Sequence, residues 1–139
     1  MPAGCRRLKK KLLTAFGLQL GYAFQLTDDL LDISGNAAGM GKPVMQDIKE
    51  GYLTLPLIKL LRDKRHGFAV KQLITEKDFS AANLQFIHQA LIKCGILAET
   101  SEKAGLLIKQ AKQNLEKLPL KPPRLLLTRL ADYVACRIS

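Results

Sequence analysis

A chain of 139 residues with 47% apolar content is about the size of one globular domain, and 22 lysines and arginines against 12 acidic residues leave a net charge of +10. Beyond an ordinary solvated cationic surface, that field would attract phosphates, nucleic acid or an anionic membrane. Cys5, Cys94 and Cys136 are odd in number, far apart and free of CxxC spacing, which suggests neither a disulfide framework nor a zinc site and fits a reducing cytoplasm.

The amino terminus has the basic start and apolar run of a secretory signal, but no small-x-small cleavage site follows, and the run continues straight into Gln25, Asp28 and Asp29. The uncharged stretch from Leu12 to Thr27 is shorter than the ~20 residues a spanning helix needs and contains two glutamines. A soluble protein is expected.

Apolar residues recur at three- and four-residue spacing along nearly the whole chain, so the expected class is all-α, a helical bundle forming a single domain over residues 1–139. The first helix should run from about Cys5 to Ile33, burying Leu12, Phe16, Leu20, Phe24 and Leu31, and end at "SGNAAG". Gly17 and Gly21, four apart, would let another helix approach closely. Thr54 can cap "TLPLIKLLRDK", whose Pro56 is tolerated in the first turn, and His66 with Gly67 would end it. Further helices are expected from about Ser80 to Cys94, from Ala98 to Lys117, and from the proline pair at 122 and 123 to the end. Phe79, Phe86 and Tyr133 sit at core-like spacing. His66 and His88 have no partner motif and read as surface or helix-end residues.

The stretch "FQLTDDLLDISG" is the chemically informative one. Asp28 and Asp32 are four residues apart and stack on one helix face, Asp29 lies about 100° around, and Gln25 sits one turn earlier. Carboxylates this close repel near a helix carboxyl end whose dipole is already negative, so something positive should compensate. Mg²⁺ would serve, since it takes one or two carboxylates and shares its remaining positions with waters and substrate phosphates. The alternative is a solvated acidic tip paired with lysines. Lys42 follows on a glycine-bearing loop, where it could meet a diphosphate oxygen. This is neither a Walker loop, because Gly35 is one residue too far from "GK" and Pro43 replaces the Ser or Thr, nor an EF-hand, which needs ligands at alternate positions around a glycine.

The run "FGLQLGYAFQLTDDLLDISG", then "GK", Asp47 and "EGYLTLPLI", resembles the second aspartate-rich region of the trans-isoprenyl diphosphate synthases, or polyprenyl synthetases. That family carries FQ-x-x-DD-x-x-D, GK, an Asp and EGK-T-LP in this order. "AGLLIKQAKQNLEKLP" and "LTRLADYVACR" are similar to its last two helices, so the likeness spans roughly residues 12 to 137 and implies the carboxy-terminal part of the isoprenoid synthase fold. The long-chain bacterial synthases look most similar.

The resemblance implies head-to-tail transfer of an allylic prenyl group to isopentenyl diphosphate, with Mg²⁺ as cofactor. It implies Asp28 as the strongest metal ligand, with Asp29 and Asp32 as direct or water-mediated helpers. Lys42 would bind the allylic diphosphate, Gln25 would orient it, Phe24 would line the wall near the reacting carbons, and Asp47 would hold the loop. Two departures stand out. Tyr52 replaces the lysine of EGK, leaving open whether Lys49 substitutes, and the family is about twice this long, with its first aspartate-rich motif in the half not present here. The chain is therefore expected to hold half a site, to be inactive alone, and to self-associate or bind a partner through exposed apolar flanks. "RRLKKK" reads as a solvated helix start or a peripheral membrane contact. Rival readings are a non-catalytic remnant or regulatory subunit, and a basic helical module that binds nucleic acid through that run with Lys109, Lys112, Arg124 and Arg129. The second has no use for three clustered aspartates.

Overall fold

The structure is a computed structural model that describes residues 3–35, 45–119 and 121–137. It is all-α: the described residues form α1 (Ala3–Ser34), α2 (Gln46–Glu50), α3 (Leu55–Leu61), α4 (Gly67–Glu76), α5 (Ala81–Lys93), α6 (Ile96–Glu116) and α7 (Pro122–Cys136), with no strand among them. They group into two compact units, Met1–Thr27 with Glu102–Ser139, and Asp28–Ser101.

The first unit is built on a stripe of α1. Phe16, Leu20 and Ala23 recur at helical spacing and are buried with Ile108, Ala111 and Leu115 of α6 and Ala131 and Val134 of α7. Asn114 Nδ2 donates to Gln19 Oε1 at 2.8 Å across this packing, and Lys112 pairs with Asp132 at 2.6 Å. The ion pair is open to water and contributes at most about 1 kcal/mol. Prolines 122 and 123 open α7, where the missing N–H costs no helical bond.

Two expected burials fail in this unit. Phe24 is exposed, with the Arg137 guanidinium 5.0 Å from its ring centroid, and Tyr133 is also exposed. A Cβ at Gly17 or Gly21 would meet nothing within 4 Å, so these glycines permit no close approach among the described residues. Their spacing put them on a helix face without saying whether anything covers it.

In the second unit α3 packs against α4 and α5. The core joins Ile33, Met45, Ile48, Leu57, Leu60, Val70, Ile87, Leu91 and Ile96, with Phe79 packed on its margin. Each fully buried aliphatic side chain here adds about 1.5–3 kcal/mol of transfer free energy. Gly35, at φ 63°, ends α1 with its N–H on the Leu31 carbonyl at 3.2 Å, as a left-handed glycine cap does. Leu31 itself is only half-buried. Thr54 occupies the cap position of α3, but its hydroxyl makes no capping bond and is buried without a hydrogen-bond partner. Ser80 does cap α5, accepting the Asn83 N–H at 3.3 Å.

Helix α4 was not expected from the sequence. Gly67, Val70, Ile74 and Thr75 weaken its helical propensity, and burial of Val70 in the core compensates. The expected end of α3 at His66 and Gly67 fails: α3 stops at Leu61 with Arg62 as its cap, residues 62–66 form a turn, and α4 begins on Gly67 itself. This glycine is buried, and a Cβ there would collide with the Leu61 carbonyl. No side chain fits that crossing. Among the described residues, no helix is long and apolar enough to cross a membrane.

Candidate functional site

Asp28, Asp29 and Asp32 occupy the last two turns of α1. Asp29 is buried at 4% exposure, whereas Asp28 and Asp32 are half-buried. Asp32 is fastened to the returning chain: one carboxylate oxygen accepts the Gln46 N–H at 2.9 Å and the other accepts the Asp47 N–H at 3.2 Å. Its main-chain carbonyl takes the Met45 N–H at 2.8 Å as well. Met45 lies in the left-handed region, at φ 56°, and gives α2 no side-chain cap. Asp32 caps that helix from 14 residues away, satisfying two of the amide groups that a helix start leaves open.

The consequence is a cluster of carboxylates. Burial pushes the Asp47 carboxyl above its usual range, and the negative charges of Asp32, Asp29, Glu50 and Asp28 push it further the same way. Because the folded state then holds that proton more tightly than the unfolded chain, the contribution of Asp47 to stability is fullest at low pH and is lost as pH rises through the folded pKa. Asp47→Asn should therefore raise the thermal midpoint at neutral pH in metal-free buffer. That gain should vanish in melts at about pH 3, where both side chains are neutral.

The remaining expected residues fall differently. Gln25 and Phe24 lie earlier on α1, both exposed, and belong to the first unit. Lys42 lies outside the described residues. Gly51, at φ 89°, closes α2, and the Tyr52 N–H bonds the Asp47 carbonyl at 2.8 Å, with the phenol ring in solvent where the expected lysine would be. Lys49 is exposed on α2. Asp28, Asp29, Asp32 and Asp47 offer carboxylate oxygens, the hard donor type that suits Mg²⁺ or Ca²⁺, but among the described residues no three of them bring ligand atoms within 4.8 Å of one another.

The polyprenyl synthetase family model matches residues 2–92. The chain belongs to the polyprenyl synthetase family. Over 137 residues it is 31% identical to heptaprenyl diphosphate synthase component 2 from Geobacillus stearothermophilus, covering 99% of this chain and 42% of that protein. A decaprenyl diphosphate synthase from Rhodobacter capsulatus superposes with a TM-score of 0.83 at 35% identity, over 96% of this chain and 42% of the other. A polyprenyl synthase from Caulobacter crescentus, solved with calcium and isoprenyl diphosphate, superposes with a TM-score of 0.77 at 31% identity, over 95% and 41% of the two chains. This polyprenyl synthetase chain thus spans about two-fifths of the length of these relatives. The all-α fold and the class of family are those the sequence led one to expect.

Sequence reasoning passed over a second cluster. One oxygen of Asp63, the His66 ring and the Cys94 sulfur lie within 4.8 Å of one another. Asp63 and His66 are three apart, a spacing visible in the sequence, but Cys94 is 28 residues further on and reaches them only through the packing of α5 on α3. The histidine read as a partnerless helix-end residue does lie at a helix end, capping α4, but it has two partners.

Proposed function

We propose that this chain supplies the second aspartate-rich face of a long-chain polyprenyl diphosphate synthase, which joins an allylic prenyl diphosphate to isopentenyl diphosphate. The observation that carries the proposal is the carboxylate group held around Asp32, on a chain whose relatives are polyprenyl synthases and one of which was solved with a divalent cation and isoprenyl diphosphate. In the reaction the allylic C–O bond breaks, a carbon–carbon bond forms to the homoallylic alkene, and the departing diphosphate accepts the proton lost. When bound, Mg²⁺ supplies charge neutralisation for the diphosphate oxygens.

Within this reading Asp28 is the principal Mg²⁺ ligand. Asp29 and Asp32 complete or orient the ligand set, directly or through water. Asp32 brings Asp47 beside them by holding the backbone of α2. Lys42 binds the allylic diphosphate, Gln25 orients it, and Phe24 presents its ring to the prenyl carbons. Together these groups favour the leaving diphosphate electrostatically.

Complementary residues are part of the proposal, because these 139 residues contain one DDxxD run and the relatives are more than twice as long. They come from an amino-terminal half or a second chain. The heptaprenyl relative is itself named a component, and the first unit exposes Leu8, Leu18, Leu126 and Tyr133, side chains suited to packing on a partner. A cytoplasmic location belongs to the same reading, with the largely exposed Arg6 to Lys11 run available to an anionic membrane surface.

The test is calorimetric binding of an isoprenyl diphosphate to this chain. Binding should require Mg²⁺, weaken by about tenfold or more in Asp28→Ala, and proceed without turnover. Binding that ignores both Mg²⁺ and Asp28, alongside duplex DNA binding with a steep salt dependence, would replace the proposal with the nucleic-acid reading.

A further inference from the structure

We propose that Asp63, His66 and Cys94 form a second metal site, of a different chemical class from the acidic one, that takes a zinc-like divalent cation and pins three helix ends together. Asp63 follows α3, His66 caps the start of α4, and Cys94 caps the end of α5. His66 Nδ1 lies 2.9 Å from Asp63 Oδ1 and 3.5 Å from Cys94 Sγ. One ring nitrogen therefore faces a carboxylate and a thiol at once. Without metal, a proton on that nitrogen and the proton of the thiol can both be shared with the Asp63 carboxylate, and a cation centred among the three would replace both protons.

The distances suit such an ion. Zinc bonds of about 2.0–2.3 Å to N, O and S place tetrahedral ligand atoms about 3.3–3.6 Å apart. The sulfur–nitrogen separation already matches, and the oxygen must retreat by a few tenths of an ångström, which a partly exposed carboxylate can do. The set of one sulfur, one nitrogen and one oxygen is also of borderline softness, which favours zinc-class ions over Mg²⁺ and leaves a fourth position for water.

The surroundings favour positive charge. Carboxyl ends of α3 and α5 both terminate near the cluster and present partial negative charge, opposed by the start of α4. The Asp63 oxygen is already held by the N–H groups of Arg65 at 3.0 Å and His66 at 2.8 Å, so the turn that carries two of the three ligands is ordered in advance. The Phe86 ring, 6.3 Å from that of His66, limits how far the imidazole can swing. On binding, the thiol proton passes to solvent and the sulfur coordinates as thiolate, so that Asp63, the thiolate and a dication sum to no net charge.

Cobalt(II) reports thiolate ligation directly, and an oxygen-only site at Asp28 cannot imitate it. With the exposed Cys5 and Cys136 changed to serine, titration of the full chain should give a near-ultraviolet thiolate-to-cobalt band that saturates at one equivalent and is bleached by Zn²⁺. The band should be lost when Cys94→Ser is added and weakened in His66→Ala. In the unmodified chain, Zn²⁺ should slow alkylation of Cys94 by about tenfold or more while Cys5 and Cys136 react as before, since a coordinated sulfur is withheld from the reagent. Absence of the band, its survival in Cys94→Ser, or alkylation of Cys94 at the same rate with and without Zn²⁺ would each overturn the site.

Discussion

Asp32→Ala should release α2 from α1. Both carboxylate oxygens accept main-chain N–H groups of the next helix, at 2.9 and 3.2 Å, and hydrogen bonds to a charged acceptor contribute about 1.5–3 kcal/mol each when buried. The site is half-buried, so a combined loss of about 2–4 kcal/mol is the expected scale. Hydrogen exchange reads it residue by residue: the amides of Gln46 and Asp47 should approach unprotected rates, while those of α5 should exchange faster only by as much as global stability falls. Asp32→Asn should recover part of the protection, because its single amide oxygen can still accept. Asp28→Ala leaves both of the Asp32 bonds in place and should keep these amides protected, while under the proposed function it weakens Mg²⁺-dependent ligand binding by about tenfold or more. If the two variants exchange alike, Asp32 is no latch.

Leu91→Ala should be the most destabilising single change in the second unit. Leu91 is fully buried at 0% exposure in the core formed with Leu57, Leu60, Val70 and Ile87. Truncation there forfeits transfer free energy and leaves a cavity that rigid helices fill poorly, a cost of about 2–5 kcal/mol. Ile92 provides the control, since it follows directly on the same helix and is 48% exposed. Ile92→Ala should cost about 0.5 kcal/mol or less. Denaturant midpoints of the two variants should differ accordingly with an unchanged slope. Equal midpoints would contradict the assigned face of α5.

Much of this was legible from local patterning. Leu12, Phe16 and Leu20 announced the buried stripe of α1 by their spacing, and all three are buried. The aspartates could be placed on the last turns of a helix because Ser34 and Gly35 supplied its end. What could not be read was what distant segments do to these residues. Nothing local tells that the oxygens of Asp32 are taken up by amides 14 and 15 positions away. Helix α4 went unseen because its propensity is poor and its support is tertiary, through Val70 and the Gly67–Leu61 crossing. Phe24 and Tyr133 have core-like periodicity but are exposed, Phe24 with the Arg137 guanidinium over its ring. Periodicity identifies a face, and only packing decides whether it is covered. The same limit hid Cys94 from His66.

The capping of α2 by Asp32 changes what the survival of an aspartate-rich motif can testify to. Selection for folding alone would retain Asp32, since its loss unfastens α2. The last aspartate of DDxxD is thus a marker of an intact fold. In the proposed reading, it is the first that reports on chemistry.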